Sequence, residues 1–267
     1  MATIVAQDLT GTAAWSGAPG ATVVLGAALG STLLAAVMTR QGRRRGLVLG
    51  YVIGVLGALV ATLAVVTRSF PLLLVGTTLI GFGNTANHLS RYAAADMVPP
   101  ARRATAIGTV VWGSTVGAVI GPNLVGSAGG VAEALGLPSL AGAYLVPVLF
   151  VSTAAILSFM LLRPDPFELA DRTGEEAAHH ELIAPLAEIL RRPAVLVAIA
   201  TLVLAQSVML LIMTTSPLHM ANHGHGLGVV GFVMSAHTFG MYALSPVSGR
   251  LTARLGSVPV ILGGSAV

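Results

Sequence analysis

Asn84, Asn87, His88 and Arg91 stand at i, i+3, i+4 and i+7, a spacing that places all four on one face of a helix. The residues before them, FPLLLVGTTLIGFG, are apolar. Polar side chains in hydrocarbon are costly, so such a stripe is expected to face a bundle interior or a watery cavity. Two carboxamides can donate to and accept from a polar solute, and a histidine can take up or release a proton near neutral pH. The competing reading sends Arg91, and His88 with it, to lipid headgroups at a membrane edge. Gln206, His237 and Tyr242 offer a second set of polar groups in an equally apolar setting. His237 can serve in coupling or be a neutral histidine hydrogen-bonded across helices. His219, His223 and His225 lie close together, but no acid or cysteine accompanies them, and no metal site is expected.

The elements that carry these residues follow from composition. Of 267 residues 55% are hydrophobic and 9% are charged, where a soluble domain has about a quarter charged. Between Gly46 and Ser90 the only charge is Arg68, and none occurs from Pro193 to Gly249. A helix needs about 20 apolar residues to span a bilayer. The sequence predicts spans at 17–38, 46–67, 70–96, 104–128, 139–162, 193–217 and 226–248, with an eighth beginning near Val258. The fold class is therefore an all-α, polytopic membrane protein; continuous apolar runs of this length do not suit a transmembrane β-barrel.

Arginine orients the spans. Loop 39–45 holds four arginines, 97–104 holds Arg102 and Arg103, 163–192 holds four more, and 249–257 holds Arg250 and Arg254. The loops between them hold Arg68, Glu133 or no charge. This alternation places the arginine-rich side in the cytoplasm and predicts a multi-pass protein of the cytoplasmic (inner) membrane. Residues 1–16 then fall on the far side, without the basic start of a signal peptide. The chain reads as a fragment lacking its first span and stopping within another.

Other chemistries find no support. All 14 basic residues are arginine and there is no cysteine. A retinal Schiff base and a lysine-bearing phosphate loop are thereby excluded, as are thiolate metal sites. No enzymatic activity, bound cofactor or nucleic-acid partner is expected. The expected partners are a small-molecule substrate and the lipid bilayer, with a proton or ion gradient open as the coupling agent and a monomer as the assembly.

Two patterns point further. Thr39-Arg40-Gln41-Gly42-Arg43-Arg44 follows one span, and Gly249-Arg250-Leu251-Thr252-Ala253-Arg254-Leu255-Gly256 follows another six spans later. Arg40 and Gly42 match Arg254 and Gly256 at one offset of 214 residues. Gly108, Gly113, Gly117, Gly121 and Pro122 stud one uncharged span. The stripe at 113, 117 and 121 is expected to let another helix pack closely, and Pro122 to bend its own helix.

On these motifs the chain resembles the major facilitator superfamily, over helices two to eight and the start of nine. The resemblance implies an N-terminal bundle at 1–162 lacking its first helix, a cytoplasmic link at 163–192 and a truncated C-terminal bundle at 193–267. Within the link, ELIAPLAEILRR suits a short interfacial helix. The family's first cytoplasmic loop carries an acid that helps latch the cytoplasmic gate. Here that position is Thr39, and Ala253 in the second copy, so the latch must be weaker or built differently. The run from Gly108 to Pro122 is similar to the fifth-helix signature of the export branch, whereas Thr77 and Ile80 stand where that branch carries an arginine and a glutamine. The resemblance implies a secondary transporter of small organic solutes working by alternating access, with efflux favoured. Import of a polar metabolite and a non-transporting fragment stay open as alternatives.

Overall fold

The computed structural model describes residues 1–99, 102–163, 165 and 191–265. Its helices are α1 (Ala2–Thr10), α2 (Ala18–Gln41), α3 (Arg43–Val66), α4 (Phe70–Asp96), α5 (Arg103–Ala134) and α6 (Gly142–Leu161). They continue with α7 (Pro193–Asn222), α8 (Leu227–Tyr242), α9 (Ser245–Leu255) and α10 (Ser257–Ser265), with no strand among the described residues. The segment ELIAPLAEILRR lies outside the described residues except for Arg191 and Arg192.

Helix ends follow local chemistry. Pro19, Pro71, Pro193 and Pro246 each occupy the first turn of a helix, where a missing N–H costs nothing. Ser69 caps α4 by accepting from the Leu72 N–H at 3.4 Å. A single residue, Gly42, separates α2 from α3 with φ 94 and ψ 159, a backbone that only glycine adopts without strain. Gly256 separates α9 from α10 in the same way, with φ 83 and ψ 171. The two copies of the Arg-x-Gly motif thus make one and the same turn.

Among the described residues, six helical segments are long and apolar enough to cross a membrane. The expected seventh, α4, is 27 residues long but is held out of that set by its polar residues. The reason is its place in the fold. It lies between α2 and α3, shielded from lipid along much of its length, and so does not need an apolar surface all round. Small residues make that sandwich possible. A Cβ on Gly54 would stand 2.8 Å from the Gly83 Cα, one on Gly57 would be 2.7 Å from the Gly76 carbonyl oxygen, and one on Gly81 would be 2.7 Å from the Ala27 nitrogen. Lipid gives helices no hydrophobic reason to meet, so close backbone approach supplies the attraction. The core is accordingly rich in alanine, with Ala58, Ala61, Ala64 and Ala86 fully buried, while Leu49, Val52, Leu56, Leu59 and Leu63 of α3 face outward.

Two elements depart from the expected spans. Residues 1–16 include α1, whose Val5 and Ala6 are fully buried against Ala61, Ala64, Val65 and Leu73. Arg68, in the α3–α4 turn, ties α1 down through an ion pair to Asp8 at 3.5 Å and a hydrogen bond to its carbonyl at 3.0 Å. The span expected at 226–248 is present as Leu227–Thr252, but its helix is interrupted after Tyr242 and α9 restarts at Ser245-Pro246. Pro246 has no N–H to continue the ladder. Gly249, Arg250 and Arg254 are consequently helical, and the turn comes only at Gly256.

Candidate functional site: a cavity walled by five helices

A cavity of about 700 Å³ lies between α2, α3, α4, α5 and α6. Asn84 and Asn87 reach it from α4, Tyr51 from α3, Ser114, Gly117 and Gly121 from α5, and Pro147 and Phe150 from α6. The rest of the wall is mainly Val, Ile, Ala and Gly, and none of the lining residues carries a charge at neutral pH, the Tyr51 phenol included. Two carboxamides one helical turn apart therefore dominate the polarity of an otherwise apolar chamber. Proline interrupts both helices opposite them, at Pro122 in α5 and Pro147 in α6, and each such break frees a backbone carbonyl and permits bending.

His88 and Arg91 share the α4 stripe but do not line this cavity. Arg91 Nη2 donates to His88 Nδ1 at 3.1 Å. Guanidinium has no acceptor, so His88 holds its lone pair at Nδ1 and its proton at Nε2, a neutral ring in this arrangement. The four-residue stripe thus divides, with the amides at the chamber and the basic pair one turn further toward the arginine-rich end. Thr77, where the export branch would carry arginine, is 1% exposed and shares a 2.7 Å hydrogen bond with Thr22 of α2. That position is structural here.

Gln206 of α7 and His237 and Tyr242 of α8 are exposed, and none reaches the cavity. His219 and His223 meet as tilted rings with centroids 4.1 Å apart at the end of α7; among the described residues no three potential ligands converge on a metal position.

The glycines of α5 also require correction as a packing stripe. A Cβ on Gly113, Gly117 or Gly121 would meet nothing within 4 Å; Gly117 and Gly121 open space for the chamber instead. The contact of α5 with α8 and α9 uses the neighbouring residues. A Cβ on Gly231 of α8 would run into the Pro122 carbonyl. Ser235 donates to the Val119 carbonyl at 2.7 Å and accepts from Asn123 Nδ2 at 2.7 Å. Nearer the arginine-rich end, Gly108 of α5 faces Ser245 and Pro246 of α9, and Gly249 faces Ala104. Two motifs that the sequence presents separately thus meet where α5 packs on α9.

The Gly42 turn shows which acids serve it in place of one at Thr39. Asp165, beyond the end of α6, accepts from the Arg43 and Arg44 backbone N–H groups at 3.0 and 3.1 Å, capping α3 where the helix dipole favours an anion. Asp96 at the end of α4 pairs with Arg43 Nε at 3.0 Å. Gly42 is doubly required, because a Cβ there would strike the Asp165 carboxylate. Sequence reasoning missed both acids, since neither lies in the loop; the signal available was a carboxylate at the end of each of two spans.

With this geometry in hand, comparison with known proteins is direct. The Major Facilitator Superfamily profile matches residues 1–267. The chain is 37% identical to the uncharacterized MFS-type transporter YdeG of Bacillus subtilis (strain 168), over 95% of this chain and 60% of that protein. It is 35% identical to YddS of the same organism, over 98% and 61%, and 30% identical to the riboflavin transporter RfnT of Brucella anthropi, over 95% and 61%. The chain therefore spans about three fifths of the length of these relatives. No solved structure matches it significantly.

Proposed function

We propose, from the premise that this chain belongs to the Major Facilitator Superfamily, that it moves a small uncharged organic solute across the cytoplasmic membrane by alternating access. The solute binds between α4, α5 and α6. The observation that carries this reading is the pair Asn84 and Asn87 in a chamber of about 700 Å³ with no charged wall. Such a site selects a molecule with an apolar body and an amide-like edge, because carboxamides pair with neutral donors and acceptors while the apolar wall disfavours a charge. Tyr51 and Phe150 add flat surface for a planar ring. A heteroaromatic solute of flavin type fits this description, and the resemblance to a riboflavin transporter supports it.

Export in exchange for protons is the favoured direction, on the Gly108–Pro122 pattern. Coupling would run through His88 and Arg91, one turn from the chamber. Import is the second reading, favoured by two amides suited to capturing a polar metabolite.

The test is riboflavin movement in vesicles of defined orientation. Export predicts accumulation in inverted vesicles with an acidic lumen, and import predicts saturable uptake into right-side-out vesicles. In either case the double variant N84A/N87A should lower the flux about tenfold or more, two lost hydrogen bonds at about 1 kcal/mol each. Flux equal to that of empty vesicles in both orientations, or unchanged in the double variant, overturns the proposal.

A further inference from the structure

A second concavity, of about 540 Å³, opens on the arginine-rich side between α2, α3 and the end of α6, away from the chamber. Gln41, Arg44 and Arg45 form its polar end, and Leu49, Val52 and Phe159 are among its apolar walls. We propose that this groove binds an anionic diacyl phospholipid of the cytoplasmic leaflet, its phosphate on Arg44 and Arg45 and an acyl chain along α3.

Charge complementarity identifies the headgroup. No carboxylate lines the groove among the described residues. Asp96 is paired with Arg43, and Asp165 is turned to the backbone N–H groups of Arg43 and Arg44. Arg44 lies 5.3 Å and Arg163 5.8 Å from the centroid of the same Phe159 ring, which holds two guanidinium groups at the mouth by cation–π attraction. Basic pockets between membrane helices on the cytoplasmic side recognise anionic headgroups in this way.

The apolar wall identifies a lipid rather than a free anion. Leu49 and Val52 begin an outward row continued by Leu56, Leu59 and Leu63, each between 42% and 52% exposed. The row recurs every three or four residues on one face of a helix that is long and apolar enough to span the membrane. A free phosphate would use only the upper end of this surface, as would an acidic segment of the link, whereas an acyl chain uses its length.

Native mass spectrometry of the detergent-solubilised chain tests the proposal with phosphatidylglycerol, phosphatidylcholine and glycerol 3-phosphate as probes. Phosphatidylglycerol should be retained about tenfold better than phosphatidylcholine. That preference should vanish in R44Q/R45Q, or in R45Q alone should the double variant lose its helical circular dichroism, and persist in R250Q/R254Q. Equal retention of the two lipids, or a preference that survives loss of Arg45, overturns the assignment. So does displacement by glycerol 3-phosphate at equal concentration. A chain that gains phosphatidylglycerol only after Asp171, Glu175 and Glu176 are neutralised would show the acidic link, not lipid, in the groove.

Discussion

At the scale of single residues, the division of the α4 stripe carries the functional reading. Asn84 and Asn87 line the chamber, while His88 and Arg91 bond to each other beyond it. On the function proposed above, solute affinity and proton coupling should therefore be separable. Asn87→Ala should raise KM for riboflavin about three- to tenfold, the worth of one neutral hydrogen bond, in a concentration series of vesicle flux. His88→Ala should leave KM near its original value and remove the component driven by a pH gradient, measured as flux with and without that gradient. The helical spacing made the shared face legible in the sequence. The split within it was not, because it depends on how far the chamber walled by α5 and α6 runs along α4. Asp165 is a similar case. Thr39 showed that the acid was absent from its place in the loop, but the replacement lies 126 positions further on in sequence, and only the fold brings it to the first turn of α3. Asp165→Ala should cost about 1–2 kcal/mol as a lost charged cap, seen as a lower melting temperature of helicity in detergent.

At the scale of elements, glycine spacing is readable, but what faces each glycine is not. A Cβ at Gly54 would press on the Gly83 backbone, whereas one at Gly113 would enter open space. Gly54→Leu should therefore wedge α3 from α4 and lower stability by several kcal/mol, in the range of overpacked interiors. Gly113→Ala should be neutral or raise stability by up to about 1 kcal/mol through helix propensity. Thermal unfolding of the two variants side by side checks both. The long apolar helices were plain from composition and charge gaps. Helix α1 was not, since nine residues give no span-length signal and its burial comes from the helices around it, α2, α3, α4 and α7 among them. The break after Tyr242 was marked by Ser245-Pro246, a helix-start pattern overridden by the apolar run around it.

At the scale of the whole molecule, α5 is the element on which α8 and α9 chiefly pack. It meets α8 through Val119, Pro122 and Asn123 and α9 through Ala104 and Gly108, while α1 reaches α7 through a 3.2 Å bond from Gln7 to Asn222. The Ser235 hydroxyl bridges Val119 and Asn123 beside the proline break, so a change in the α5 bend and a shift of α8 are mechanically linked. Ser235→Ala should alter the rate of solute exchange more than its KM, measured by counterflow. The chain also contains no cysteine, so single-cysteine variants report one position each. The most direct measurement is labelling of Asn84→Cys in vesicles by a membrane-impermeant thiol reagent, with and without riboflavin. The account predicts that the cysteine is reached from the aqueous phase and that riboflavin slows its labelling, while labelling of Arg45→Cys is unaffected. A cysteine at position 84 that is never labelled, or is labelled equally fast with the solute present, would contradict the claim that the α4–α5–α6 chamber is where the solute binds.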